Sequence, residues 1–290
     1  MPIQLKSTMR DINESVLTPF SEAKCAEWKQ SRGKHIIEKD GYYLQQVKKG
    51  FYQSSNVLAQ CPYEDISMPA WNAWGVRIAL PPEDTAKANM NYHFYMLHGD
   101  DLLNYELSTL SSNRRNQVRR SFKRCQYYEL LDKQLLLDQG YGVFTDCASR
   151  IGRTYVRPED EFLLKCGNFI NDGENHHMVL IGLVDGMLAG FIEAYAVEGV
   201  AYLETANFLS SALSSYVSVG LHYHIIRICK ESPEIHTLIH GQVTYHTESL
   251  RTFKNSMQFK EIQVPAAVKI SPLLQPFYST LIKKRFAAML

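Results

Sequence analysis

The chain has 290 residues, 45% of them hydrophobic, enough to bury a sizeable core as one large or two small domains. Its 31 basic and 30 acidic side chains nearly cancel, so bulk charge points to neither DNA nor a membrane surface. Six cysteines stand far apart with no CxxC, no signal-peptide core opens the sequence, and no stretch is long and apolar enough to span a bilayer, so the expectation is a reduced, cytoplasmic protein.

In chain order, residues 11–32 read as a helix with Phe20, Ala23, Cys25, Ala26 and Trp28 on a loose apolar face. A hairpin is expected over 34–47, turning at Asp40-Gly41. Residues 53–74 read as loop, with Trp71 and Trp74 as core or interface residues. Strands follow at 75–80 and 91–97. A new segment begins near Gly99-Asp100, which divides the chain into a small α+β unit over 1–100 and a larger one over 101–290. The stretch 108–124 is the most basic. Ser111, Ser112 or Asn113 can cap a helix there, with Val118, Phe122 and Cys125 as its apolar edge. Its cations form either a solvated face or a surface for donor phosphates, with Arg115 and Arg119 as candidates. Residues 127–131 read as strand, 138–143 as a turn and 160–172 as helix.

Residues 178–208 organise the rest. Two turn dipeptides, Asp185-Gly186 and Glu198-Gly199, cut this apolar run into three strands. A helix is expected over 212–230, stopped by Glu231-Ser232-Pro233. A short strand over 235–240, a helix over 247–257 capped by Thr247, and a last strand over 259–264 complete a β-β-β-α-β-α-β order. There is no P-loop, no Rossmann glycine fingerprint and no G-x-S-x-G elbow. The ten histidines have no carboxylate or thiol at zinc spacing, so no metal site is expected.

Three segments resemble a known family. Residues 107–123, L-S-T-L-S-S-N-R-R-N-Q-V-R-R-S-F-K, are similar to the R-x-x-R-R helix of FemAB-like proteins in the GNAT superfamily of N-acyltransferases. Residues 248–259, E-S-L-R-T-F-K-N-S-M-Q-F, look like the S-L-x-x-F-K-x-x-x-G-F ending of that group, and the meander with L-A-G-F-I lies between them. The resemblance spans about 104–262. It implies an α+β, GNAT-like mixed sheet flanked by helices and splayed between its fourth and fifth strands. The acyl donor would lie in the gap, and the N-terminal part would be a smaller, degenerate GNAT-like copy. The implied activity is transfer of an acyl group from acyl-CoA or a similar thioester to a small-molecule or peptide amine. The first alternative is a FemAB-type ligase using aminoacyl-tRNA, and the second is an inactive fold serving as a binding module.

The sequence departs from the family at two places. Around Gly220 the pyrophosphate signature is broken, because Val217 and His222 replace its polar and small residues, although Ser214 and Ser215 could donate to phosphate. The tyrosine acid of the last helix is missing, with Phe253 or Lys254 near its place, and Gln258 replaces a glycine. Acyl transfer to an amine requires a base, an oxyanion contact and an acid. Glu193 and Glu204, mid-strand carboxylates, are the candidate bases. Backbone N–H groups near Asn207 and Phe208 would meet the oxyanion. Tyr245 and His246 are the candidate acid or orienting groups.

Overall fold

A computed structural model describes residues 8–153, 155–167, 173–242 and 248–272. The fold is α+β and falls into two compact units, neither continuous in sequence: 1–21 with 94–262, and 22–93 with 263–290.

The first unit is built on β1 (Met9–Asp11), β7 (Gln126–Leu130), β8 (His177–Val184), β9 (Met187–Val197), β10 (Val200–Phe208), β11 (Thr237–Gln242) and the end of β6 (Met90–His98), side by side in that order. All neighbours are antiparallel except β10 and β11, so the sheet is mixed. The unit also holds α2 (Asp100–Leu103), α3 (Ser112–Arg124), α4 (Tyr141–Arg150), α5 (Glu159–Gly167), α6 (Val217–Glu231) and α7 (Glu248–Ser256). Residues of α3 and α6, among them Val118, Val217, Leu221 and Ile225, pack with Met178, Leu180 and Ile192 of one sheet face. Val143 of α4 with Phe162 and Cys166 of α5 pack with Val179, Ile181 and Phe191 of the other. A strand buried on both faces has no polar side to show, which is why 178–183 reads as an unbroken apolar run. The two turns are as expected, with Asp185 and Gly186 at φ 50° and 78° and Glu198 and Gly199 at 46° and 79°.

The second unit contains α1 (Glu22–Ser31), β2 (Ile36–Lys39), β3 (Tyr42–Lys48), β4 (Phe51–Ser54), β5 (Gly75–Ala79) and β12 (Lys260–Ile270) from Gln263 onward. In the order β2-β3-β4-β5-β12 the pairings run antiparallel, antiparallel, parallel, antiparallel. The larger unit has the same succession through β8-β9-β10-β11-β6.

Four local expectations need correction. Trp71, expected in the core or an interface, is 96% exposed. The helix expected over 11–32 begins only at Glu22. Pro19 disfavours helical backbone at Thr18, and this segment instead lies along β9, where the Phe20 N–H donates to the Ala196 carbonyl and the Phe20 carbonyl accepts from Glu198 N–H. Residues 138–143 are helical, one π turn over Leu136–Gly140 running into α4. Burial of Leu136, Val143 and Cys147 outweighs the helix cost of two glycines, about 1 kcal/mol each. Phe51–Ser54, read as loop beyond its first residues, is strand β4. The cap assigned to Thr247 lies outside the described residues. Among the described residues no helix is long and apolar enough to cross a membrane.

Candidate active site

The site is a fork in the sheet. β10 and β11 pair at Val200↔Thr237, Ala201↔Leu238 and Tyr202↔Ile239, and then separate although β10 continues to Phe208 and β11 to Gln242. Each strand has a register shift at the point of parting. Against β9 the ladder of β10 skips Glu204, between Leu203 and Thr205. Against β6 the ladder of β11 shifts between Ile239 and Gln242, around His240 and Gly241, with Gly241 at φ 76°. A bulge bends its strand and re-aims a side chain. Two bulges at the same level turn the strands away from each other.

On the α6 side of the fork sit two imidazoles. His222, 1% exposed, and half-buried His240 are 2.7 Å apart at their Nε2 atoms. The ring planes differ by 12°, with centroids 4.7 Å apart, so the rings lie nearly parallel. His222 Nδ1 lies 2.7 Å from the Ser218 carbonyl oxygen. Phe208, Phe253 and Phe259 surround the pair. Burial pulls the pKa of His222 down to about 4, helped by the charges of Lys254 and Arg114. Lys254, 2% exposed, reaches the His240 carbonyl oxygen at 2.8 Å and lies 4.6 Å from the centre of the Tyr95 ring. Burial lowers its pKa to about 8. An ammonium that releases its proton near neutral pH suits proton transfer.

On the opposite side stands a charged cluster. Glu193 places one carboxylate oxygen 2.8 Å from Lys165 Nζ of α5 and the other 3.0 Å from His177 Nε2. Glu204, at the bulge and more exposed, is 3.8 Å from the same Lys165 Nζ. Sequence reasoning thus chose two carboxylates that share one cation. Glu193 has both oxygens engaged, and Glu204 is the one turned outward. Replacing Glu193 by Gln is expected to cost about 2 kcal/mol, because Lys165 and His177 lose a buried counter-charge. A lowered urea midpoint checks this, and an unchanged one would remove the ion pair from the fold's support.

Among the donor-binding candidates, Asn207 and Phe208 are buried on the parting half of β10, with the Phe208 carbonyl 3.4 Å from Arg150 Nη2. The Ser214 carbonyl accepts from Arg124 and the Ser215 carbonyl lies 3.6 Å from the Cys125 thiol. Gly220 faces inward: a Cβ there would stand 1.9 Å from Tyr127 Oη. Its small size serves the packing of α6 on β7. Arg115 donates to the carbonyls of Ser108 and Leu110. Arg119 is exposed on α3 beside Arg120, Lys123 and Arg124. No carboxylate pairs with Arg119, Arg120 or Lys123 among the described residues. Tyr245 and His246 lie outside the described residues. Sequence reasoning passed over His222 and His240, whose partnership crosses from α6 to β11, and left Lys254 without a role. The signal for Lys254 was a lysine on the buried side of an otherwise amphipathic helix. No group of three or more His, Cys, Asp or Glu among the described residues could hold a metal.

No family model and no curated protein sequence matches the chain. Solved structures match its fold. FemX superposes with a TM-score of 0.61 at 12% identity, over 89% of this chain and 93% of that chain. The C-terminal domain (DUF2156) of an Agrobacterium fabrum protein assigned as a lysylphosphatidylglycerol synthetase gives 0.57 at 13%, over 90% and 97%. L-PGS from Bacillus licheniformis gives 0.53 at 12%, over 95% and 99%. The chain therefore has a GNAT/FemAB-like fold.

Proposed function

We propose that the protein is an acyltransferase that moves an acyl group from an activated ester or thioester to an amine, with the acyl carrier lying in the fork between β10 and β11. The observation that supports this best is the fork itself: two bulged strands part beside a buried ammonium, Lys254. In this reading Lys254 supplies the charge that favours the departing oxygen or sulfur, in place of the missing tyrosine. Glu204, outward-facing on the other side, receives the acceptor amine.

Between carriers, we favour an aminoacyl-tRNA over acyl-CoA. The glycine signature for a pyrophosphate is broken, and Gly220, which would stand for its first glycine, is packed against Tyr127. Arg119, Arg120, Lys123 and Arg124 form an exposed cationic edge on a helix without a single carboxylate, and Phe122, 43% exposed, lies within it. Cations with an exposed aromatic suit a single-stranded nucleic-acid end, through phosphate contacts and base stacking. The named product of the lysylphosphatidylglycerol synthetases, a lysyl group joined to a lipid, is also an acyl transfer.

The test is thermal shift and single-turnover transfer with aminoacyl-tRNA, deacylated tRNA, acyl-CoA and free CoA. Aminoacyl-tRNA is expected to raise the melting temperature and to lose its acyl group to an added amine. A double Arg119→Glu, Lys123→Glu variant is expected to bind it at least tenfold more weakly, with a shallower salt dependence. Stabilisation by CoA alone would reverse the choice of carrier, and no response to any donor would favour an inactive binding module.

A further inference from the structure

We propose that His240, held in one tautomer by His222, is the proton acceptor for the attacking amine. This rests on the acyl-transfer reading and adds to it a residue and a role.

The argument is a count of protons on four ring nitrogens. The partner of His222 Nδ1 is a carbonyl oxygen, which only accepts, so the proton of neutral His222 is on Nδ1 and points at Ser218. Its Nε2 is then an acceptor. Two imidazole nitrogens at 2.7 Å need one proton between them, and only His240 can supply it. Neutral His240 therefore has its proton on Nε2, and its Nδ1 is an acceptor. A buried ring fixed at both ends thus dictates which nitrogen of the half-buried ring is basic.

The surroundings make the assignment stable. Among the described residues, the charges of Lys254 from α7 and Arg114 from α3 both disfavour a protonated His222. A proton taken up by the pair therefore does not rest on His222. His240 is the first residue of β11 beyond its last pair with β10, at the bulge where the strands open. A base at this position meets a nucleophile approaching a carbonyl held in the fork.

The step balances without a co-reactant. A neutral amine nitrogen adds to the carbonyl carbon while one of its protons passes to His240 Nδ1. Collapse of the tetrahedral adduct breaks the bond from carbon to the carrier's oxygen or sulfur. The departing atom takes a proton, from Lys254 or from the imidazolium, and the remaining proton exchange restores both groups. The products are an amide and the free carrier.

Three measurements test the proposal. Nitrogen-15 spectra of the imidazoles are expected to show His222 protonated at Nδ1 and His240 at Nε2; the opposite pattern overturns the proposal whatever the activity. His240→Ala is expected to lower kcat roughly 100-fold or more, to remove the acid limb of the rate profile, and to regain part of the rate with added imidazole. His222→Phe, a change at the positioning residue, is expected to lower kcat without raising KM and to displace that limb. If wild-type protein transfers acyl groups and His240→Ala matches its rate and pH profile, the assignment of His240 fails alone. If wild-type protein transfers nothing from any donor, the acyl-transfer reading fails first.

Discussion

Lowering the pH from 7 to 4 is expected to remove on the order of 6 kcal/mol of folding stability, about 3 from each of two buried histidines. Burial holds both His222 and His224 at a pKa of about 4, against an ordinary value of 6.5. The sign follows from which state binds the proton. Between pH 6.5 and 4 the unfolded chain takes up protons that the folded chain refuses. The contribution is therefore complete above pH 6.5, falls steadily down to about pH 4 and is lost below it. Total stabilities are usually 5–15 kcal/mol, so acid unfolding near pH 4 is the expected observation. Urea midpoints measured from pH 7.5 to pH 4 check it. His224 offers the cleaner variant, because its Nδ1 is buried without a hydrogen-bond partner and its ring packs between Phe122 and Tyr127. His224→Phe should cost little at pH 7 and remove about half of the slope. A midpoint independent of pH over this range would refute the account.

Gly220→Ala is expected to destabilise the fold by about 3 kcal/mol through overpacking. The new methyl would stand 1.9 Å from Tyr127 Oη, 2.4 Å from Tyr127 Cζ and 2.6 Å from Ser121 Oγ. Tyr127 cannot swing clear, since its buried ring is flanked by His224 and Phe122, and Ser121 is itself fully buried. α6 would have to lift, and the same helix positions His222. Adding Tyr127→Phe removes the closest atom and should restore part of the loss. Gly142→Ala is the control: nothing lies within 4 Å of a Cβ there, and the residue is in α4. That change should be neutral or stabilising by roughly 0.5–1 kcal/mol. Equal effects at the two glycines would show that helix propensity, not contact, governs Gly220.

The two candidate carboxylates illustrate how far the sequence could be read. Glu193 and Glu204 stood out because a charge in the middle of an apolar strand must have a partner or face water. The structure gives one of each kind: Glu193 is buried on Lys165 and His177, and Glu204 is exposed at a bulge. Strand alternation could not distinguish them. A bulge shifts the facing of every residue after it, and nothing in the residue types marks its place. The histidine pair was illegible for another reason. His222 and His240 are 18 positions apart on different elements, and each alone looks like a packing residue. The missed helix start at Glu22 has the same origin, since the extended segment before it is held by hydrogen bonds to β9, far along the chain.

By itself, the sequence determined the meander, its two positive-φ turns, the basic helix and the order of elements that follows, because each is set by neighbours a few residues apart. Hairpin chemistry, capping and apolar periodicity are local, whereas the GNAT/FemAB-like fold was expected from the resemblance of residues 107–123 and 248–259, with the meander between them, to that family. Only the tertiary structure decided where β10 leaves β11, which carboxylate is buried, that His222 and His240 meet and that Lys254 is buried. Those four facts depend on register and burial, which are properties of segments brought together by the collapse of the core and are written in no single stretch of the chain.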